Sequence, residues 1–166
     1  MAMNVKKLTS LSLLIALAMI LSYLESLVPP FVAIPGIKVG LANIAVVFAL
    51  YRLGWKEAVG ISLVRVLCVS LLFGSGASFL YSVAGAALSL TGMLLLKRTR
   101  LFSQVAVSVA GGVLHNIGQI IMASILLATD VLRYYLPFLL LGGIVAGVVV
   151  GVAATVLIRR IHELDA

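Results

Sequence analysis

The sequence predicts an all-α polytopic membrane protein: a bundle of six transmembrane helices forming one domain over residues 1–166. Three observations predict it. Of the 166 residues 63% are hydrophobic, and the mean hydropathy is +1.27. Soluble domains are about 45–50% apolar, and a chain this short leaves too much surface exposed to hide the excess from water. The apolar residues fall into six long runs. The charges, 10% of the chain, sit in short clusters between those runs, as membrane proteins place them.

The first run is 8–28, preceded by Lys6 and Lys7. A basic start and Ala16-Leu17-Ala18 imitate a cleavable leader, but the apolar run continues well past that site, so we expect an uncleaved first span. Next comes PPFVAIPGIKVG, 29–40, whose Pro29, Pro30 and Pro35-Gly36 forbid a continuous helix. The second run, 39–53, reaches only about 22 Å at the helical rise, against about 30 Å of hydrocarbon. The preceding connection is therefore expected to dip in from the outer side, complete the crossing, and act as a lid; irregular backbone at that depth is tolerated where it is buried or lines a cavity. Further runs cover 57–73, 77–96, 101–128 and 135–160. They are too long and too evenly apolar for barrel strands, and helices satisfy their own backbone groups in lipid.

Orientation follows from Lys and Arg. With the N-terminus inside, Lys6, Lys7, Arg52, Lys56, Lys97, Arg98, Arg100, Arg159 and Arg160 face the cytoplasm, and Lys38 and Arg133 face outward. Six spans return the C-terminus to the inside. The expected location is the cytoplasmic membrane, and the net charge of +7 reads as membrane orientation, with no nucleic-acid partner.

This topology gives each intramembrane polar residue a depth. Ser22, Tyr23 and Glu25 end the first span, Asn43 begins the second, and Ser78, Tyr81 and Ser82 begin the fourth, all near the outer side. Arg65, His115 and Asn116 fall near mid-membrane, with Gln119 above them. The inner half is almost wholly Leu, Ile, Val and Ala. His115 and Gln119 are spaced i, i+4 and share a helix face, with Asn116 beside it. We therefore expect an outward-facing ligand pocket drawn from Arg65, His115, Asn116, Gln119, Asn43, Lys38, Glu25, Tyr81 and Tyr23, since an ionisable group in the membrane interior is costly to bury. Arg65 and Lys38 attract negative groups, the amides and His115 hydrogen-bond, and Tyr81 and Tyr23 stack a ring. The same polar groups can instead bond helix to helix, and Glu25 can serve as a salt-bridge partner. Small residues make a second pattern. Gly143, Gly147 and Gly151 recur every four residues, and Ser12, Ala16 and Ala18, Ser22 form small-xxx-small pairs; such faces bring helices close, within the bundle or against another subunit.

Several chemistries find no support. The chain carries no Walker A motif, HExxH, GxSxG or dinucleotide fingerprint. Its two aspartates, Asp130 and Asp165, are far apart, so no carboxylate cluster is placed to hold the magnesium of a diphosphate. Cys68 is single and lies in an apolar run. We expect no catalytic residue, metal ligand or cofactor. An apolar inner half argues against a pore.

The stretches SYLESLVPP (22–30), IPGIKVGLANI (34–44), GWKEAVGISLVRVLCVSLLFGS (54–75), FLYSVAGAALSL (79–90) and GGVLHNIGQIIMAS (111–124) together resemble the Gx transporter family, labelled heptaprenyl diphosphate synthase component I. That family is grouped with the substrate-binding S components of energy-coupling factor (ECF) transporters of prokaryotes. The resemblance implies an S-component bundle, a pocket near the outer face and a first loop that closes over it. It also implies partners: a transmembrane coupling subunit, docked on the small face of the first helix (Ser12, Ala16, Ala18, Ser22), and two cytoplasmic ATPases. The function expected is a transporter subunit that binds a small micronutrient or metabolic precursor, and not an enzyme. The alternatives are an accessory membrane subunit of prenyl diphosphate or quinone synthesis, or of a redox complex.

Overall fold

A computed structural model describes residues 5–27, 40–129 and 134–165. Among these residues there are six α-helices: α1 (Val5–Leu27), α2 (Asn43–Arg52), α3 (Trp55–Phe73), α4 (Gly76–Thr99), α5 (Gln104–Leu127) and α6 (Leu136–Asp165). Four of them, α1, α4, α5 and α6, are long and apolar enough to cross a membrane by length and composition. The 19 residues of α3 carry Lys56, Glu57 and Arg65. The protein is a multi-pass membrane protein.

The six runs correspond to six helices, with local chemistry adjusting the ends. The largest change is at α2, which starts at Asn43 rather than near residue 39. Gly40 has φ +93°, a backbone state outside the helix that glycine adopts without strain. The chain turns there, with the Asn43 N–H donating to the Gly40 carbonyl (2.9 Å). At 10 residues, α2 is only about 15 Å long. Elsewhere serines set the starts. The Ser75 hydroxyl accepts from the Ser78 N–H and the Ser103 hydroxyl from the Ala106 N–H, each at 3.2 Å, capping α4 and α5.

Around the bundle the helices run α1, α3, α4, α5, α6, α2, with α2 touching α1, α3 and α6. The glycine stripe on α6 is used inside the bundle. A Cβ on Gly143 would stand 2.9 Å from the Gly112 carbonyl oxygen, and one on Gly151 2.8 Å from the Val105 Cα. Bare backbone thus packs on bare backbone where α6 meets α5. The main core holds Leu14 and Ala18 of α1, much of α2, Ile61, Met93, Val107, Val150 and Ala154.

Polar contacts mark the two ends. At one end Lys7 pairs with Glu57, tying the start of α1 to the start of α3. Lys97 Nζ, from the last turn of α4, donates to the Leu50 carbonyl and sits 4.9 Å from the Tyr51 ring centroid. That bond satisfies one of the carbonyls left open where α2 ends. Arg52, Lys56, Arg98, Arg100, Arg159 and Arg160 occupy the same end, because the helix ends alternate. The interior polar residues of α1, α3 and α5 lie away from it.

Candidate functional site

Five segments converge on one cavity. Ser22 and Glu25 come from the last turns of α1, Gly40 from the turn before α2, Arg65, Val66 and Val69 from α3, Ser82 from α4, and His115 and Gln119 from α5. The volume is about 20 Å³, room for a single water molecule. The i, i+4 spacing of His115 and Gln119 places both side chains in this space, as their sequence positions predict. Arg65 is 6% exposed, His115 3% and Gln119 1%.

The electrostatics of the site are concentrated on one pair. The Glu25 carboxylate accepts the Gly40 N–H, fixing the turn that starts α2. Across the cavity it acts electrostatically on Arg65, whose charge in turn reaches His115. Placing a central arginine in the membrane costs about 2.5–3.5 kcal/mol on insertion scales, and the carboxylate offsets part of that. Among the described residues, Arg65 Nε, His115 Nδ1 and both amide atoms of Gln119 are buried with no hydrogen-bond partner, as are Asn116 Oδ1, Ser89 Oγ and Ser108 Oγ, whose residues do not line this space. Buried polar groups are nearly always satisfied, so these atoms leave hydrogen-bonding capacity open beside the cavity.

Gly85 of α4 makes the arrangement possible. A Cβ there would stand 2.9 Å from the His115 carbonyl oxygen and 3.0 Å from both His115 Cε1 and Gln119 Cγ. Only a glycine lets the polar face of α5 lie this close to α4. Gly85, Ser82 and Gly40 were not singled out as site residues from the sequence. The signal available was the small-residue series Ser82, Gly85, Ser89 on α4, which has helical spacing and faces α5.

Other expected ligand contacts lie elsewhere. Asn43 borders a neighbouring void of about 10 Å³ with Ser108 and Gly111, and Gly40 lines both spaces. Asn116 points to α6, its Nδ2 donating to the Leu139 carbonyl at 2.6 Å, so it bonds helix to helix. Tyr81 is buried in an apolar cluster with Ile120, Ala123 and Leu139. Tyr23 is 45% exposed, because it lies on the outer face of α1 while Ser22 and Glu25 face inward. Lys38, and with it the expected lid, lies outside the described residues. The expected docking face on α1 also divides. Ser12 and Ala16 are exposed, whereas Ala18 and Ser22 are buried in the bundle. Six residues separate Ser12 from Ala18, a turn of about 240° around the helix, so the two pairs cannot share a side. Among the described residues no three of His, Cys, Asp or Glu come together in a way that could hold a metal ion.

The fold defines a class, a polytopic helical membrane protein. A solved structure of the S component of a bacterial ECF transporter superposes with a TM-score of 0.67, covering 96% of each chain at 20% sequence identity. The sequence model for heptaprenyl diphosphate synthase component I matches residues 14–157, and the chain belongs to that family. No curated protein matches the sequence.

Proposed function

We propose that this protein is the substrate-binding membrane subunit of an uptake system, taking a small polar or anionic micronutrient or metabolic precursor into the cavity between α1, α3, α4 and α5. One observation carries the reading: Arg65, His115 and Gln119, from two helices, line a space shared with Glu25 and hold buried polar atoms that have no partner among the described residues. Asn116, by contrast, turns its Nδ2 to the Leu139 carbonyl of α6. The cavity holds about one water, so on this reading the side chains part to admit a solute.

The basic end faces the cytoplasm by the positive-inside rule, which puts both termini inside the cytoplasmic membrane and turns the site outward. A coupling subunit and two ATPases would supply the energy, and the exposed side of α1 bearing Ser12 and Ala16 is the surface available to the coupling subunit. On this reading the protein is a carrier component rather than a synthase, which the fold it shares with a solved transporter S component supports.

The test is direct. Protein purified in mild detergent is denatured and the released small molecules are identified by mass spectrometry, alongside Gln119→Leu. A compound retained by the wild type and lost from the variant is expected. If neither retains one, and no vitamin or quinone precursor raises the melting midpoint, the reading fails. The family's name favours a second reading, an accessory role in prenyl diphosphate synthesis. It predicts that adding the protein raises a partner synthase's turnover and that Gln119→Leu leaves this stimulation intact.

A further inference from the structure

A second feature lies at the opposite end of the molecule from the solute site. Where the start of α3 meets the last turns of α4, an open groove of about 660 Å³ is lined by Trp55, Thr91, Leu94, Leu95, Arg98 and Arg100, with Gly54 and Lys97 at its margin. Its wall is apolar along α4 and its rim is cationic. Among the described residues no acidic side chain lines it, and Glu57, the acid nearest in sequence, is paired with Lys7. Lys97 is held by the Leu50 carbonyl, and Lys56 lies over the Trp55 ring, 5.7 Å from its centroid. The guanidinium groups of Arg98 and Arg100 have no hydrogen-bond or ion-pair partner among the described residues.

Arg100 is conspicuous for its backbone. It ends α4 in the left-handed region at φ +59°, a position that glycine fills without strain and that costs an arginine conformational energy. Beside it Leu101 and Phe102 are exposed, as are Trp55 and Leu95. Exposed tryptophan, leucine and phenylalanine next to unpaired arginines, at the end of a spanning helix, match the boundary between headgroups and acyl chains.

We propose that this groove is a binding site for one anionic phospholipid of the leaflet at the basic end. The phosphate and acidic headgroup lie between Arg98 and Arg100, where planar guanidinium groups suit bidentate contact with phosphate oxygens. An acyl chain runs along Leu94 and Leu95, and Trp55 packs on the glycerol region. The basic clustering that orients the protein becomes at this point a shaped site. Its occupant is a lipid because groove, apolar wall and cationic rim form one continuous surface open to the bilayer.

The experiment uses the full chain in detergent, offered equimolar dioleoyl phosphatidylglycerol and dioleoyl phosphatidylcholine and read by native mass spectrometry. The wild type retains phosphatidylglycerol preferentially. Arg98→Gln with Arg100→Gln reduces that retention roughly 30-fold, about fivefold for each basic residue near the surface. Arg159→Gln with Arg160→Gln, which removes the same charge from the same end outside the groove, leaves the preference in place. The proposal is overturned if the wild type shows no preference, or if both double variants lose it equally, which would make it a diffuse field. It is also overturned if Leu95→p-benzoylphenylalanine, photolysed in native membranes, crosslinks to a protein instead of to phospholipid.

Discussion

Replacing Gly118 with alanine tests whether close contact between α4 and α5 builds the site. The added Cβ would stand 2.6 Å from the Ala84 carbonyl oxygen and 2.9 Å from both the Ala84 carbonyl carbon and the Gly85 Cα. These are backbone atoms of a helix, with no rotamer to swing aside. Ordinary contact begins near 3.4 Å, so α4 must retreat by about 0.8 Å on a steep repulsive wall. Overpacking of this kind costs about 1–3 kcal/mol, or about 2–12 °C in melting midpoint for a chain of this size. Because Gly85 and Ser82 retreat with α4, solute retention also falls. Gly142→Ala is the matched control. It is a helical glycine with no atom within 4 Å of the new Cβ, and Gly→Ala in a helix gains about 0.5–1 kcal/mol, so its midpoint rises. Differential scanning fluorimetry of the two variants in one detergent decides. Midpoints moving together, in the same direction and by similar amounts, would refute the reasoning that packing distance is what Gly118 provides.

Arg65→Leu leaves the Glu25 carboxylate buried without its counter-charge and lowers stability by about 3–5 kcal/mol; adding Glu25→Gln, which keeps an acceptor for the Gly40 N–H, recovers much of that in the same melting assay. Asn116→Leu removes the bond to Leu139 and costs about 0.6–1.7 kcal/mol, while retention of the co-purified compound, measured by mass spectrometry, is unchanged. Lys97→Met strips the cap from the end of α2 and the cation from the Tyr51 ring; a loss of about 1–3 kcal/mol is expected, seen as a lower thermal midpoint.

Much of this architecture is legible from hydropathy, because a 30 Å slab of hydrocarbon imposes its length on every span. The rotation of each helix is less legible. In water an apolar stripe marks the inner face, but lipid and bundle interior are equally apolar, so hydropathy does not say whether Ser12 or Ala18 of α1 turns inward. Tyr23 and Ser22 are neighbours at the same depth, and one faces out while the other lines the cavity. Where several polar residues share one helix face the rotation is easier to read, and His115 and Gln119 line the same cavity. Asn116, one step around α5, has a carbonyl of α6 in reach, and nothing in its local sequence distinguishes that partner from a ligand. The start of α2 was hidden for another reason: the hydrophobic run hides a glycine turn whose partner, Glu25, is 15 residues upstream.

The placement of α2 also has a bearing on how the molecule is made. Val46, Val47 and Leu50 share a core with Val150 and Ala154 of α6, although α2 leaves the ribosome well before α6. At about 5–20 residues per second, the roughly hundred residues between them take about 5–20 s to synthesise. Throughout that interval a ten-residue helix, too short to anchor itself across the bilayer, presents a bare flank. Until α6 arrives, that apolar flank rests against lipid or the insertion machinery, and it exchanges those contacts for α6 only then.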